Sequence, residues 1–354
     1  MFVGHEFLAF ALVGGAARQF GRDDAAALRL GAVAALAALL PDLDVVYAVA
    51  TYAVAVASGA PVGWEAFWGV ANSVHRVVTH PLPVGAVATL VFGAVAALSV
   101  LRKPTGDARR ENRSSRTGAF LLVTVASAAL GVGALLMTFR AVAGTAAALV
   151  AAAFLVCVGA VAWGVGRRIS ILPSRLAAAA GVGFLTHPFG DVFLAVPPPL
   201  FSPFGPPLLT ERVVFATDPT LEILAVLFVE LATVWAGVFV LSQLSLSRFG
   251  RLREALDRRA LLGVGYAAAA FVLPRPTVVD AHVLGFTIVP LATAVGLWVG
   301  RSLLTEPGTY TSPNRPRDRC SIADAAYRGS VSGLATLTVA ATAYTVVYLL
   351  LPIR

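Results

Sequence analysis

The stretch LGAVAALAALLPDLDVVYAVATYAVAVA, Leu30 to Ala57, is an apolar run that carries two aspartates near its middle. A helix that crosses a bilayer needs about 20 mostly apolar residues, so this run is long enough to span a membrane. On a regular helix, Asp42 and Asp44 would point about 200° apart. Because Pro41 precedes them, we expect a broken helix that turns both carboxylates into one polar cavity. The alternative is a proline kink whose carboxylates only cap the following helix.

The rest of the chain has the same apolar character. Hydrophobic residues make up 58% of the sequence and charged residues 13%, and the mean hydropathy is +0.81. A soluble domain has roughly 25% charged residues, so we expect an all-α, polytopic transmembrane bundle of about nine or ten membrane helices. The predicted spans are 30–57, 82–101, 117–138, 144–166, 176–196, 220–245, 260–274, 279–300 and 326–350, and a shorter helix covers 2–17.

Basic residues alternate between the predicted loops and so predict the orientation of the spans. They are concentrated at 18–29, 102–116, 167–175, 248–259 and 301–319. Loops rich in Lys and Arg remain in the cytoplasm, which places the other set of loops outside. The net charge of +8 is explained by this topology, and a nucleic-acid partner is not needed to account for it.

Four motifs place ionisable side chains in or beside the apolar runs, where such groups are costly and usually functional. The motifs are GHEFLAF, LLPDLDVV, HRVVTH and THPFGDVF. Their polar residues are His5, Asp42, Asp44, His75, Arg76, His80, His187 and Asp191. The predicted topology brings all four motifs toward the outer face of the membrane. Each also has a structural explanation, since a lone histidine often only packs and His187 stands before a proline that could simply end its segment.

A mixed set of histidines and aspartates favours Zn²⁺, Mn²⁺ or Fe²⁺ over Ca²⁺. A catalytic site would keep one metal position open for water, and a remaining aspartate would act as general base. Arg76 and His5 would hold an anionic group such as phosphate, because Arg offers bidentate contacts.

In their order along the chain, the four motifs resemble the YdjM-like family of membrane-associated proteins, whose members are predicted to be metal-dependent hydrolases. The resemblance covers roughly residues 1–210 and includes the Pro-rich VPPPLFSPFGPP at 196–207. One departure is Val45, which stands directly after PDLD where members often have His. The expected domain organisation is a hydrolase core at 1–210, with an insert at 102–170, followed by additional transmembrane helices of the same bundle at 211–354.

The resemblance implies that the polar residues of the motifs form a metal site with catalytic positions. The implied metal ligands are His75, His80, His187, Asp191, Asp42 and Asp44. The catalytic residues are expected to be Asp42, Asp44 and Arg76, with His5 and Arg76 binding substrate. The cofactor would be a divalent metal, Zn²⁺ ahead of Mn²⁺ or Fe²⁺.

The sequence thus favours a membrane hydrolase that acts on a lipid or phospholipid ester or phosphodiester at the level of the outer headgroups. Membrane lipids would be its partners. A phosphatidic-acid-phosphatase-like enzyme ranks lower, because the chain lacks the PSGH and KxxxxxxRP motifs. The non-enzymatic alternative is a transporter or ion-binding protein that uses the same cavity, since Glu222 and Glu230 lie eight apart on one predicted helix and would suit a proton relay.

Overall fold

The computed structural model describes residues 3–63, 65–69, 76–101, 111–193, 197–305 and 321–350, with the backbone alone at 111–117, 119 and 120. All regular structure in these ranges is helical. The chain divides into two compact units, Met1–Val213 and Val214–Arg354.

Within the described residues, the first unit contains seven fully described α-helices and two short 3₁₀ turns, and residues 65–69 are also helical. The seven helices and two turns are α1 (Gly4–Gln19), α2 (Asp24–Leu39), a 3₁₀ turn (Pro41–Asp44), α3 (Val45–Ala57), α4 (Leu82–Leu101), α5 (Glu111–Val142), α6 (Gly144–Arg168), α7 (Pro173–Gly190) and a second 3₁₀ turn (Asp191–Phe193). Asp23 begins α2 by accepting a hydrogen bond from the backbone N–H of Ala26 at 2.8 Å, as an N-cap residue does.

The core of this unit is formed by α2, α4, α5, α6 and α7. It contains Val33, Phe92 and Phe184, all nearly inaccessible. Small residues bring α7 against α2, because a Cβ atom at Gly183 would clash with the carbonyl oxygen of Ala34 and lie 2.8 Å from the backbone nitrogen of Ala38. Close backbone approach at small residues is how helices associate in membranes.

The PDLD segment interrupts the helix as Pro41 predicts. The α-helix α2 ends at Leu39, the 3₁₀ turn follows at Pro41–Asp44, and α3 then continues to Ala57. A proline removes a backbone donor and clashes with the preceding turn. The α-helix therefore breaks at Pro41, directly before the acidic pair.

In the part of the second unit that the structure describes, there are five α-helices and two 3₁₀ segments. They are α8 (Pro219–Leu244), α9 (Leu246–Phe249), 3₁₀ segments at Leu252–Ala255 and Arg258–Ala268, α10 (Ala269–Val272), α11 (His282–Thr305) and α12 (Ile322–Leu350). Glycines bring α11 and α12 together, since a Cβ atom at Gly296 would lie 2.7 Å from the carbonyl oxygen of Gly329.

Asp218 begins α8 and links it to α12. Its carboxylate accepts hydrogen bonds from the backbone N–H groups of Leu221 and Thr220 and from the hydroxyl of Tyr348. The backbone bonds, that of Leu221 first, lower the pKa of this carboxyl below its usual value.

Within the described part of the chain, seven helices are long and apolar enough to cross a membrane: Asp24–Ala57, Leu82–Leu101, Leu121–Val142, Gly144–Arg168, Pro219–Leu244, His282–Thr305 and Ile322–Leu350. They coincide with seven of the nine predicted spans. The other two predictions, 176–196 and 260–274, fall on helices that do not qualify. The helix α7 is only 18 residues long and contains Arg175 and His187, and the region 260–274 is mostly 3₁₀ helix followed by one α-helical turn. The predicted total of nine or ten is therefore not confirmed.

Replacing Gly183 with Ala is expected to destabilise the first unit, because the added methyl group meets backbone atoms of α2 that cannot move aside. Overpacking of this kind typically costs about 1–3 kcal/mol. Thermal unfolding in detergent measures the effect. Gly133→Ala on α5 is the matched control, since a Cβ atom there meets nothing within 4 Å. Equal stability of the two variants would contradict the close contact between α7 and α2.

Candidate metal centre

Four segments of the first unit bring their polar side chains to one point. His5 lies in the first turn of α1 and Asp42 in the 3₁₀ turn after α2. His80 lies directly before α4, while His187 and Asp191 lie at the end of α7 and just beyond it. These five residues form the His/Asp cluster, and they come from positions far apart in the sequence.

The cluster is held by short contacts between imidazole nitrogens and carboxylate oxygens. His80 Nε2 lies 3.2 Å from Asp191 Oδ2 and 3.5 Å from Asp42 Oδ1. His187 Nε2 lies 3.5 Å from the same Asp42 oxygen, and His5 Nε2 lies 3.5 Å from Asp191 Oδ1. The ring of His187 is 4.2 Å from that of His5 and 4.5 Å from that of His80, between centroids.

These spacings suit ligands around a metal ion. Nitrogen ligands about 2.0–2.1 Å from a zinc ion are themselves roughly 3.0–3.4 Å apart, depending on the coordination geometry. Two ligand sets, His5–Asp42–His187 and His80–His187–Asp191, have donor atoms within 4.8 Å of one another. Within the described residues, the Nε2 atoms of His5 and His187 are buried without a hydrogen bond. The donor set therefore fits a divalent ion such as Zn²⁺, Mn²⁺ or Fe²⁺.

Access to the cluster differs sharply among its members. His5, His80, His187 and Asp191 are 3% exposed or less. The side chain of Asp42 is 29% exposed, and that of the neighbouring Arg76 is 15% exposed. A molecule that reaches the cluster therefore meets Asp42 and Arg76 first.

Asp44 is close to the cluster but lies on the other side of the His80 ring. Its Oδ2 atom accepts hydrogen bonds from the backbone N–H of Arg76 at 2.9 Å and from the hydroxyl of Thr79 at 2.7 Å. The same oxygen is 3.7 Å from His80 Nδ1. Asp44 belongs to neither ligand set, whereas Asp42, two residues earlier, belongs to one of them.

Arg76 turns its guanidinium toward the cluster. Its Nε atom lies 3.3 Å from Asp191 Oδ2, and its Nη1 atom is buried with no hydrogen-bond partner within the described residues. The backbone of Arg76 has φ +74°, a left-handed conformation that is uncommon for residues other than glycine. This conformation aims the N–H group of Arg76 at Asp44.

Of the residues predicted from the sequence, His75 lies outside the described residues. His5, predicted to bind substrate, belongs to a candidate ligand set. Thr79, which stands inside the HRVVTH motif, was given no role in the prediction. The signal that identifies it is a hydroxyl side chain directly before a candidate histidine ligand.

Glu222 of the second unit forms hydrogen bonds with the backbone of the segment before α8. It is 1% exposed, and its Oε2 atom accepts hydrogen bonds from the backbone N–H groups of Phe215 and Ala216 at 2.7 and 3.0 Å. These bonds satisfy two backbone N–H groups of the segment that leads into α8.

An all-helical chain with membrane-length helices and a buried set of histidines and aspartates is an integral membrane protein with a candidate metal centre. A family model described as YdjM inner membrane protein matches residues 1–272, a range that contains the whole cluster. The chain belongs to this family, which confirms the resemblance carried by the four motifs. No curated protein and no solved structure matches the chain.

Replacing His187 with Gln is expected to abolish tight binding of a divalent metal, because His187 belongs to both ligand sets. Loss of a group that only hydrogen-bonds to a metal ligand lowers metal affinity about 10–100-fold, so loss of a ligand itself should lower it at least as much. Metal analysis of the purified protein, followed by zinc titration, measures the change. His282→Gln is the control, since His282 lies on α11 of the second unit. Equal metal content in both variants and the unmodified protein would contradict the site.

Proposed function

We propose that this protein is a metal-dependent hydrolase that cleaves a lipid or phospholipid ester or phosphodiester at the outer face of the membrane. The observation that carries the proposal is the buried cluster of three histidines and two aspartates, which within the described residues is most exposed at Asp42 and at the neighbouring Arg76. A catalytic metal site needs both a held ion and an accessible side for water and substrate. Membership of an inner membrane protein family makes lipids the nearest substrates.

His5, His80, His187, Asp42 and Asp191 would hold the ion. A divalent metal there would supply Lewis-acid chemistry, polarising an ester or phosphoryl oxygen and making water easier to deprotonate. Asp42 has the most exposed side chain of the cluster. While one of its carboxylate oxygens binds the ion, the other would accept a proton from the attacking water, as a general base within hydrogen-bond reach does.

Arg76 would orient the substrate. Its guanidinium is fixed at one edge by Asp191, with Nε 3.3 Å from the carboxylate, while Nη1 has no hydrogen bond within the described residues. A guanidinium held in this way offers further N–H donors to a phosphate, which Arg binds in a planar, bidentate geometry. A phosphate-bearing lipid is therefore a better match than a neutral ester.

The orientation proposed here follows from the arginine-rich loops. If those at 18–29, 102–116 and 167–175 remain in the cytoplasm, the start of α1 and the end of α7 lie toward the outer leaflet. The cluster would then open at the depth of lipid headgroups, where a scissile ester or phosphodiester is found.

A proton-relay transporter is less well supported than a hydrolase. That alternative depended on Glu222 and Glu230 as a pair of carboxylates within one helix. Glu222 instead accepts two backbone hydrogen bonds from the segment before α8, so its position is explained by local structure.

Hydrolysis is tested with purified protein in mixed micelles that contain a phospholipid, with product release followed by mass spectrometry. Chelation should abolish activity and added Zn²⁺, Mn²⁺ or Fe²⁺ should restore it. Asp42→Asn should lower kcat/KM by about 10²–10⁴-fold, the usual contribution of a general base. His282→Gln should leave activity unchanged. Activity that survives both chelation and the Asp42→Asn substitution would refute the proposal.

The role of Arg76 is tested with inorganic phosphate as an inhibitor. Hydrogen bonds to charged groups contribute about 1.5–3 kcal/mol, so Arg76→Gln should weaken phosphate inhibition by about 10–100-fold. Arg140→Gln, at an exposed position near the end of α5, is the matched control. Unchanged inhibition in Arg76→Gln would show that Arg76 does not bind the anion.

A further inference from the structure

Thr79 stands between Asp44 and His80 and contacts both. Its hydroxyl lies 2.7 Å from Asp44 Oδ2 and 2.9 Å from His80 Nδ1. All three side chains are buried. This chain of contacts runs from a carboxylate that belongs to neither candidate ligand set to a histidine that belongs to one.

The protons in this series of hydrogen bonds can be assigned by counting donors. Asp44 Oδ2 accepts the backbone N–H of Arg76, and as a carboxylate oxygen it can only accept. The Thr79 hydroxyl has a single proton and donates it to the same oxygen. The remaining contact of Thr79 must then be accepted by its oxygen, so His80 Nδ1 carries the hydrogen. This holds whether or not the imidazole bears a second proton.

We propose that Thr79 and Asp44 form a positioning relay that commits His80 to bind the metal through Nε2, and that Asp44 is not itself a ligand. The proposal rests on the proposed metal centre and revises its expected ligand set. With Nδ1 occupied as a donor, the nitrogen available to an ion is Nε2, which faces Asp191 at 3.2 Å and Asp42 at 3.5 Å. Metal-bound histidines commonly donate their second ring N–H to a carboxylate or another acceptor, which fixes the orientation of the ring.

The two aspartates of PDLD would accordingly have different roles. Asp42 would bind the metal, while Asp44 would orient His80 through Thr79 and hold the Arg76 backbone in its left-handed conformation. Because Arg76 also places its guanidinium against Asp191, Asp44 supports two groups of the centre without touching the ion.

The relay is tested by zinc affinity, measured by competition with a chelator, and needs no substrate. Thr79→Val keeps the shape of the side chain but removes the hydroxyl, and should weaken zinc binding by about 10–100-fold. Thr79→Ser keeps the hydroxyl and should restore most of the affinity. Thr186→Val is the matched control, since the Thr186 hydroxyl donates its hydrogen bond to the carbonyl of Val182 in its own helix. Zinc affinity of Thr79→Val equal to that of the unmodified protein, or equal losses in Thr79→Val and Thr79→Ser, would overturn the proposal.

A spectroscopic measurement separates orientation from general stability. In zinc-loaded protein labelled with ¹⁵N-histidine, His80 should show a protonated Nδ1 and a metal-bound Nε2, and the Nδ1 proton should exchange faster in Thr79→Val. Binding through Nδ1 would overturn the relay.

Asp44→Asn provides a further comparison, because its amide oxygen can still accept from Thr79 and Arg76. It should retain more zinc affinity than Asp42→Asn. An equal loss of zinc affinity in the two variants would indicate that Asp44 is a ligand. A protein that binds zinc in this way but hydrolyses no lipid would refute the proposed function and leave the relay intact.

Discussion

A carboxylate buried in an apolar helical bundle must be matched by donors or by a cation, because an unpaired buried charge costs several kcal/mol. Asp44 and Asp191 are 5% and 1% exposed. Asp44 is matched by a backbone N–H and a hydroxyl, whereas Asp191 faces His5, His80 and Arg76. The meeting of α1, the PDLD turn, the HRVVTH loop and the end of α7 follows from this requirement. The segments that supply the acids and those that supply the donors cannot be separated without leaving a charge unpaired.

The architecture was largely predictable, because length and hydropathy determine which segments can cross a bilayer. The break at PDLD was predictable for a similar reason, since Pro41 cannot continue a regular helix. The segments at 176–196 and 260–274 were harder. The first contains the candidate ligand His187 and prolines that lower its hydropathy, and the second adopts a 3₁₀ helix, which no hydropathy pattern distinguishes from a short α-helix.

The sequence was enough to select most residues of the buried His/Asp cluster, but not to assign how each of them contributes. Rare ionisable residues in apolar runs identified His5, His80, His187 and Asp191 as candidates. The difference between Asp42 and Asp44 depends on the left-handed backbone of Arg76 and on the hydroxyl of Thr79. A backbone conformation of this kind leaves no periodic trace in the sequence, and the position of Thr79 before His80 does not show that its hydroxyl also contacts Asp44.

The chain order of the cluster has a consequence for biogenesis. His5, Asp42 and His80 are synthesised early, but His187 and Asp191 follow the long helices α5 and α6. The early residues enter the membrane as an incomplete coordination sphere that lacks the histidine shared by both ligand sets. A nascent chain that has not yet placed α7 against α2 has no complete centre to load. If the cluster binds a metal as proposed, its capture depends on the completion of the first unit, and the close approach at Gly183 would then be required for metal loading as well as for packing.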